Sequence, residues 1–384
     1  MSIFTNLIFF SLLISLLESP SLSFFMLLIV SHVLLLCSAS LVSCYSSLVS
    51  ALVFCLGAIV LLFFSSYSLL AFFISYEFSL LPIAFLIILF GYQPEKISAT
   101  IFLLSYTIIC SLPLFYYVAT VGGCVSGLGS SASKGIVFLL GLAFMVKSPL
   151  YVLHIWLPKA HVEAPVIGSV LLSGIMLKLG GYGFLLLSPF FNPFFYYFKY
   201  LSLSGSVICC ILCFRHHDIK SVVAYSSVVH MGAVTIGAII GSESGLWVSV
   251  GIMVSHTLVS PYLFLLAHEL YLCSYSRSFL HAFRYGIGAS FLLLLSVFWG
   301  LNFGVPPFLP FFVEVALFSA IGAQWSLSFV PLILTSLISF LYCVWYYCLT
   351  VAGAPSPSAP HFASVYYYLP APIFLLFLSS FTFI

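Results

Sequence analysis

The sequence has very little charge. Its 384 residues include only ten lysines and arginines and eight aspartates and glutamates, so 5% of the chain is charged. An ordinary soluble domain has about 25% charged residues. Because 63% of the residues are hydrophobic, the chain lacks the polar surface that it would need to stay dissolved in water. This composition excludes a soluble globular protein.

Long polar segments are also missing. Apolar runs long enough to cross a bilayer as a helix recur along the whole sequence, and the linkers between them reach only about fifteen residues. The runs are apolar on every face and show no alternation with a period of two, so they are not barrel strands. We predict an all-α polytopic membrane protein with about 13 transmembrane helices, two of them broken. The predicted spans are 3–17, 22–42, 47–66, 67–90, 97–120, 135–158, 164–187, 198–214, 219–241, 246–272, 285–318, 328–350 and 366–384.

Motifs of cofactor chemistry are missing as well. The sequence has no phosphate-binding loop, no dinucleotide fingerprint and no clustered histidine run. Its densest cysteine group is Cys209, Cys210 and Cys213, which lies inside a predicted span and lacks the paired spacing of iron–sulfur ligands. We predict that this chain itself binds no cofactor and no metal. No lysine or arginine precedes the first apolar run, so we expect neither a cleaved signal peptide nor a transit peptide.

Four charged residues lie inside predicted spans instead of at their ends. They are Glu77, Lys147, Lys178 and Glu314. Each charge in mid-membrane costs about 2.5 to 3.5 kcal/mol, so the four cost on the order of 10 kcal/mol unless partners or water stabilise them. A proton path needs such groups, because burial favours the neutral form of a lysine and a nearby carboxylate favours the charged form. The alternative is structural, with the charges pairing between helices to hold them together.

The stretch FMVKSPLYVLHIWLPKAHVEAP, at residues 144–165, is unusually polar for this chain. Its supporting polar residues are His154, His161 and Glu163, and its helix breakers are Pro149 and Pro158. Lys147 lies seven residues before His154, and His161 follows after the same interval. On a continuous helix this spacing returns to within about 20° of one face. Because prolines free backbone carbonyls that protein or water must satisfy at membrane depth, we predict a hydrated proton path here.

A second group of helix breakers lies at residues 302–314, where Pro306 and Pro307 precede Glu314. Two interrupted apolar spans, one in each half of a chain, are typical of transporters with inverted repeats and sites near the middle of the membrane. We therefore predict an inverted-repeat, antiporter-like architecture. Its predicted parts are N-terminal transmembrane helices at 1–66, a first half at 67–187, a second half at 188–350 and a C-terminal transmembrane helix at 351–384.

Two histidines, His230 and His256, lie inside consecutive predicted spans. A neutral imidazole accepts at one ring nitrogen and donates at the other, so both residues can act as proton relays. The alternative is that each is satisfied by a serine four residues away on the same helix face, either Ser226 or Ser260.

Several segments resemble one family closely. The 39 residues MVKSPLYVLHIWLPKAHVEAPVIGSVLLSGIMLKLGGYG, at 145–183, are similar to the signature of subunit 4 of the proton-pumping NADH:ubiquinone oxidoreductases, respiratory complex I. The likeness runs in order from about residue 70 to residue 345, and the 39-residue stretch is specific enough to separate subunit 4 from its antiporter-like sister subunits. The other segments are SYEFSLLPIAFLIILFGYQPEK, DIKSVVAYSSVVHMG, MVSHTLVSPYLFLLAHELY and GVPPFLPFFVE.

The resemblance implies an Mrp-type antiporter fold and a role in proton translocation. It assigns the input half-channel to Glu77 and Lys147, the central axis to Lys178, His230 and His256, and the exit to Glu314. It also implies that the sites for NADH, FMN, iron–sulfur clusters and ubiquinone lie in other subunits. The chain then belongs to an enzyme whose redox chemistry is carried out elsewhere. The family usually has four spans before the position of Glu77, where we count three.

The same resemblance implies neighbours and a location. We expect antiporter-like subunits on both sides, accessory subunits and membrane lipids as partners, no nucleic acid, and residence in the mitochondrial inner membrane. Three alternatives differ in class: a subunit of a free-standing cation/proton antiporter, a structural membrane scaffold, and a membrane enzyme with a histidine-ligated metal. The last is disfavoured because the histidines do not cluster.

Overall fold

The described part of the chain is helical almost throughout. The computed structural model describes residues 47–130, 132–191, 195–279, 289–322 and 328–351, together with Val33, Leu34 and Cys37. Its α-helices within these ranges are α1 (Ser47–Ser65), α2 (Leu69–Phe78), α3 (Leu80–Phe90), α4 (Lys96–Val121), α5 (Lys134–Lys147), α6 (Trp156–Glu163), α7 (Val166–Leu171), α8 (Leu177–Leu187), α9 (Phe195–Arg215), α10 (Ile219–Ile240), α11 (Glu243–Ser274), α12 (Ala289–Phe303), α13 (Leu309–Gly322) and α14 (Phe329–Val351). A short π-helical segment, Leu172–Met176, joins α7 to α8.

Eight helical stretches of the described residues are long and apolar enough to cross a membrane. They are Ser47–Ser65, Leu69–Phe90, Lys96–Val121, Val166–Phe190, Phe195–Arg215, Ile219–Ile240, Glu243–Ser274 and Phe329–Thr350. Each matches a predicted span to within a few residues, which confirms an all-helical membrane protein. The predicted spans 3–17 and 366–384 lie outside the described residues, as does most of 22–42.

The remaining two predicted spans contain shorter helices. In the first, α5 ends at Lys147 and α6 begins at Trp156, because a proline at 149 cannot supply a helical N–H and disfavours a helical residue before it. Pro158 lies in the first turn of α6, where the missing N–H costs no intrahelical bond. The predicted single line of Lys147, His154 and His161 is therefore wrong, since His154 lies between two helices. In the second, residues 304–308 separate α12 from α13 and contain Pro306 and Pro307.

Two compact units make up the chain. The first unit combines Met1–Ser148 with Glu163–Asn192, and the second combines Pro149–Val162 with Pro193–Ile384. Aromatic packing builds the interior of the first unit: the ring centroids of Phe63 and Phe72 are 4.5 Å apart, and those of Tyr76 and Phe144 are 5.5 Å apart. These rings surround the end of α5 and fix its position.

In the second unit, small residues let neighbouring helices approach closely. The Ser249 hydroxyl on α11 shares its hydrogen between the Gly245 carbonyl of its own helix at 2.9 Å and the Val234 carbonyl on α10 at 3.1 Å. A Cβ atom added at Gly237 would lie 2.9 Å from the backbone carbonyl oxygen of Gly245, which cannot rotate away, so only glycine permits this approach. The contact fixes α10 and α11, which carry His230 and His256.

Candidate functional site

Lys147 is buried at the end of α5 in the first unit, with 2% of its surface exposed. Its Nζ donates a hydrogen bond to the backbone carbonyl of Tyr76 on α2 and lies 3.3 Å from the centroid of the Tyr76 ring. The Tyr76 hydroxyl in turn donates to the Ala143 carbonyl on α5 at 2.8 Å. Tyr76 therefore binds the lysine with its backbone and its ring, and ties α2 to α5 with its hydroxyl.

Glu77 follows Tyr76 on α2. Its side chain is half-buried, and its Oε1 atom is buried with no hydrogen-bond partner in the described part of the chain. Glu77 is the residue next to Tyr76, whose carbonyl binds Lys147. The structure thus places the predicted acid and the predicted lysine in one region of the first unit, although the atoms that bind the lysine belong to Tyr76.

Lys178 is buried near the start of α8, with 1% of its surface exposed. Its Nζ donates to the Ser173 carbonyl at 2.6 Å. Ser173 lies in the π-helical segment, where the Leu177 N–H bonds to the Leu172 carbonyl. Such segments rearrange the usual backbone pairing and are frequent at functional sites. Here the segment supplies the acceptor for a lysine in the interior.

The two lysine-bearing helices of the first unit are in backbone contact. A Cβ atom added at Gly180 on α8 would lie 2.5 Å from the Ser148 nitrogen and 2.7 Å from the Phe144 carbonyl oxygen. Only a glycine allows this approach, because those atoms are backbone and cannot rotate away. Gly180 therefore sets the distance between α8, which carries Lys178, and the end of α5, which carries Lys147.

The predicted supporting residues are buried but not collected in one place. In the second unit the His154 ring lies 5.8 Å from the Tyr225 ring, and the Tyr225 ring stacks on His216 at 4.7 Å. His161 stacks on Phe264 at 4.5 Å between centroids. Burial lowers the pKa of His216, which lies in the loop after α9, and Asp218 opposes this shift.

Glu163, the last residue of α6, belongs to the first unit. It is 5% exposed. Its backbone carbonyl oxygen would lie 3.0 Å from a Cβ atom added at Gly91. The residue thus packs closely beside the turn that follows α3.

The two relay candidates, His230 and His256, lie side by side in the second unit, with ring centroids 5.6 Å apart. His256 Nδ1 lies 3.3 Å from the Ser260 hydroxyl, as the alternative interpretation of this histidine anticipates. His230 Nε2 instead lies 3.2 Å from the side-chain oxygen of Asn302 on α12. The Ser226 hydroxyl donates to the Val223 carbonyl of its own helix.

Glu314 lies on α13, against the segment that separates α12 from α13. A Cβ atom added at Gly304 would be 3.2 Å from the carboxyl carbon of Glu314. Gly304 has a φ of +88°, a conformation that glycine adopts without steric cost. The glycine therefore does two things: it turns the chain and leaves room for the carboxylate.

Two cavities of the second unit both have His230 and Glu314 in their walls. The first has a volume of about 40 Å³, and its polar lining also includes Ser255, His256 and Asn302. The second has a volume of about 50 Å³, with a polar lining that also includes Ser206, Thr335, Ser336 and Ser339. Both exceed the roughly 10–15 Å³ that one water molecule requires. The surroundings of these two ionisable groups can therefore hold water.

Sequence reasoning missed Tyr76, the π-helical segment and Asn302. Asn302 had a signal, because it is an amide inside the apolar run VFWGLNFGV. Tyr76 and Ser173 accept the lysine hydrogen bonds with backbone carbonyls, which leave no pattern in a sequence. Among the described residues, no three His, Cys, Asp or Glu side chains are grouped so that they could hold a metal ion. Cys209, Cys210 and Cys213 are buried in α9.

The long apolar helices and the ionisable groups buried among them define a multi-pass membrane protein, and one family model matches most of the chain. The family model described as "NADH:quinone oxidoreductase/Mrp antiporter, TM" matches residues 66–340. The chain belongs to this family.

Particular relatives narrow the likeness to one subunit. The chain is 38% identical to NADH-ubiquinone oxidoreductase chain 4 of Artemia franciscana over 305 residues, covering 76% of this chain and 77% of the relative. It is 39% identical to the same subunit of Ceratitis capitata over 341 residues, covering 84% of this chain and 74% of the relative. These relatives confirm the resemblance that the sequence motifs indicated.

Solved structures share the fold. A chain of respiratory complex I from Thermus thermophilus superposes with a TM-score of 0.80 at 20% identity, covering 94% of this chain and 80% of that chain. A chain of the Mrp complex from a Dietzia species superposes with a TM-score of 0.76 at 19% identity, covering 88% and 67%. Both confirm an antiporter-like helical fold.

Proposed function

We propose that this chain is a proton-translocating subunit of the membrane arm of NADH:ubiquinone oxidoreductase. Two of its relatives are chain 4 of that enzyme. Its sequence also has lysines and glutamates inside apolar spans, where charge is costly and is usually retained for a function. The enzyme oxidises NADH in other subunits, which carry FMN, iron–sulfur clusters and the ubiquinone site. This chain contributes proton movement and not redox chemistry.

The observation that carries the proposal is the choice of partner for the buried lysines. Lys147 and Lys178 both donate to backbone carbonyls, those of Tyr76 and Ser173. A carbonyl accepts a hydrogen bond from a neutral amine as well as from an ammonium, so a lysine can lose its proton and keep this bond. The arrangement suits a group that is loaded and emptied.

The proposed cycle is electrostatic. A redox event elsewhere in the complex changes the charge near Glu77, which alters the proton affinity of Lys147. The proton then passes by way of Lys178 and the histidines to Glu314 and leaves the membrane. The two cavities beside His230 and Glu314 have room for water, which would support the last steps, because the hydroxyl groups on the cavity walls offer acceptors. Thr335, for example, donates to the Leu332 carbonyl and leaves its oxygen lone pairs for water.

We also propose an inverted-repeat architecture, based on the two interrupted spans. The segments 148–155 and 304–308 interrupt two apolar spans, one in each predicted half of the chain, as in transporters with sites near the middle of the membrane. In this arrangement Pro149, Pro306 and Pro307 keep non-helical backbone next to Lys147 and Glu314. His154, His161 and Glu163 supply further polar groups near the first interruption.

The relatives are animal proteins, and the chain is a multi-pass protein of the mitochondrial inner membrane. We propose other membrane-arm subunits as its neighbours on both sides, with accessory subunits and lipids covering the remaining apolar surface. Large exposed side chains such as Phe54, Ile101 and Trp345 suit such contacts, since they would be unfavourable in water.

The test uses the complete complex reconstituted in vesicles. Lys147→Met and Glu77→Gln should preserve electron transfer from NADH to an artificial acceptor and lose nearly all proton translocation. Lys134→Met is the matched control, because Lys134 begins the same helix and is exposed. Normal translocation in both site variants would refute the proposed roles.

A subunit of a free-standing cation/proton antiporter is the second candidate, supported by the fold that the chain shares with the Mrp complex. The two functions differ in their partners. Copurification with flavin- and iron–sulfur-containing subunits is expected for the oxidoreductase, and its absence would favour the antiporter.

A further inference from the structure

Asn302 is a buried amide of the second unit. It lies near the end of α12 and is 4% exposed. Its side chain contacts α10 through His230 and α14 through Tyr342 and Cys343. A buried amide in an apolar run costs free energy unless its polar atoms are bonded, and these three contacts provide the partners.

The contacts of the amide are directional. The Asn302 Nδ2 donates to the Tyr342 hydroxyl at 3.4 Å and to the Cys343 Sγ at 3.8 Å. Both donors of the NH₂ group are thereby directed towards α14. The oxygen atom Oδ1, which can only accept, is the atom that faces His230 Nε2 at 3.2 Å.

This orientation constrains the imidazole. A bond between Nε2 and an oxygen that cannot donate requires the proton on Nε2. The neutral ring then has its unprotonated nitrogen at Nδ1. An amide oxygen does not pass a proton onward, so proton uptake and release by His230 must both occur at Nδ1.

We propose that Asn302 is a positioning residue that fixes the tautomer of His230 and makes this histidine a proton store loaded and unloaded at Nδ1. The inference deepens the proposed function and rests on it. It differs from a relay that accepts at one nitrogen and donates at the other. His256, whose Nδ1 faces a hydroxyl that can both donate and accept, is not constrained in this way.

The first test is a double-mutant cycle in the reconstituted complex. Asn302→Leu should lower the rate of proton translocation about tenfold, the effect of losing one buried hydrogen bond at a reacting group. In a His230→Leu background the same substitution should have little further effect, because its target is gone. Tyr342→Phe, which keeps the amide oxygen on His230 and removes one anchor, should have a smaller effect.

The possible outcomes distinguish a failure of this inference from a failure of the proposed function on which it rests. Reduced translocation in His230→Leu with an additive effect of Asn302→Leu would overturn the inference alone, since Asn302 would then act independently of the histidine. Unchanged translocation in His230→Leu would overturn both the role of His230 and the inference. Equal amounts of assembled complex must be compared throughout.

The second test observes the tautomer. ¹⁵N-histidine-labelled complex should show a nuclear magnetic resonance signal, missing in His230→Gln, from a ring protonated at Nε2. In Asn302→Leu that signal should change to a mixture of both tautomers. A ring protonated at Nδ1 in the unsubstituted complex would overturn the inference, because the amide would then donate to the histidine.

Discussion

The two units hold their ionisable groups in different ways. In the first unit, Lys147 and Lys178 are almost fully buried and bonded to backbone carbonyls. In the second unit, His230 and His256 are bonded to side chains, and Glu314 lies on the wall of two cavities. Backbone atoms are fixed by the helix geometry, whereas side chains and water can rearrange.

This difference predicts where substitutions should be tolerated. A lysine held by rigid neighbours depends on the helix positions, so small changes in backbone spacing should matter in the first unit. A group beside a cavity can use water when a small partner is removed, so the second unit should tolerate the loss of a hydroxyl such as that of Ser260, whereas an apolar side chain in place of Asn302 leaves no room for such a replacement. The predictions below rank substitutions by this rule.

The largest effect is expected for Lys178→Met. The substitution keeps the apolar stem and removes the only group that can carry a proton at this position, so proton translocation should be lost almost completely. NADH oxidation with an artificial acceptor should continue. Vesicle acidification and acceptor reduction measured on one preparation would check this, with Lys134→Met as control. Normal acidification would remove Lys178 from the path.

The second largest effect is expected for Gly180→Ala. The added methyl group would come within 2.5 Å of the Ser148 nitrogen, so α8 must move from α5 at a cost of about 1–3 kcal/mol. We expect several-fold less assembled complex, and less translocation per assembled complex because the two lysines are displaced. In Gly232→Ala, the nearest atoms lie at 3.6 Å, and assembly should be normal. Equal assembly of both variants would contradict the rigid spacing inferred for the first unit.

Gly304→Ala should have an intermediate effect. A positive φ costs about 1–2 kcal/mol for a residue with a Cβ atom, and the methyl group would also press on the carboxyl carbon of Glu314 at 3.2 Å. Translocation should fall more than assembly, since the carboxylate is displaced while the helices remain packed. Gly300→Ala is the control, with its nearest neighbour, the Val305 side chain, at 3.4 Å. A parallel loss in both variants would show that Glu314 is not specifically affected.

The smallest effect is expected for Ser260→Ala. It removes the hydroxyl next to His256 Nδ1, at a cost of about 1 kcal/mol. Water in the adjoining cavity can replace the lost partner, so translocation should decrease about twofold or less. Ser226→Ala should be neutral, since that hydroxyl bonds to its own helix. Complete loss of translocation in Ser260→Ala would break the contrast between the two units.

The sequence predicted the helical membrane architecture because bilayer thickness leaves a direct record in the length of apolar runs. It also singled out Lys147, Lys178 and Glu314, since charge in hydrocarbon is conspicuous. The bonding partners were harder to predict. His230 and Asn302 are 72 residues apart, and nothing local connects them.

The ends and irregular turns of the helices were also hard to predict. The seven-residue spacing of Lys147 and His154 has meaning only on a continuous helix, and the helix ends at Lys147. The π-helical segment beside Lys178 depends on how backbone bonds rearrange within the folded unit, for which LLSGIM carries no evident signal. Proline marks a helix end well, but it does not show how the chain continues.

The most direct test of the account replaces Glu77 and Lys147 together with apolar residues of similar size, as Glu77→Leu with Lys147→Met. If these groups serve only to hold helices together, the apolar pair should replace them without loss of function, as buried ion pairs often can be replaced. We predict that the doubly substituted complex assembles, reduces an artificial acceptor with NADH and translocates almost no protons. An unchanged number of protons translocated per NADH oxidised would contradict the account.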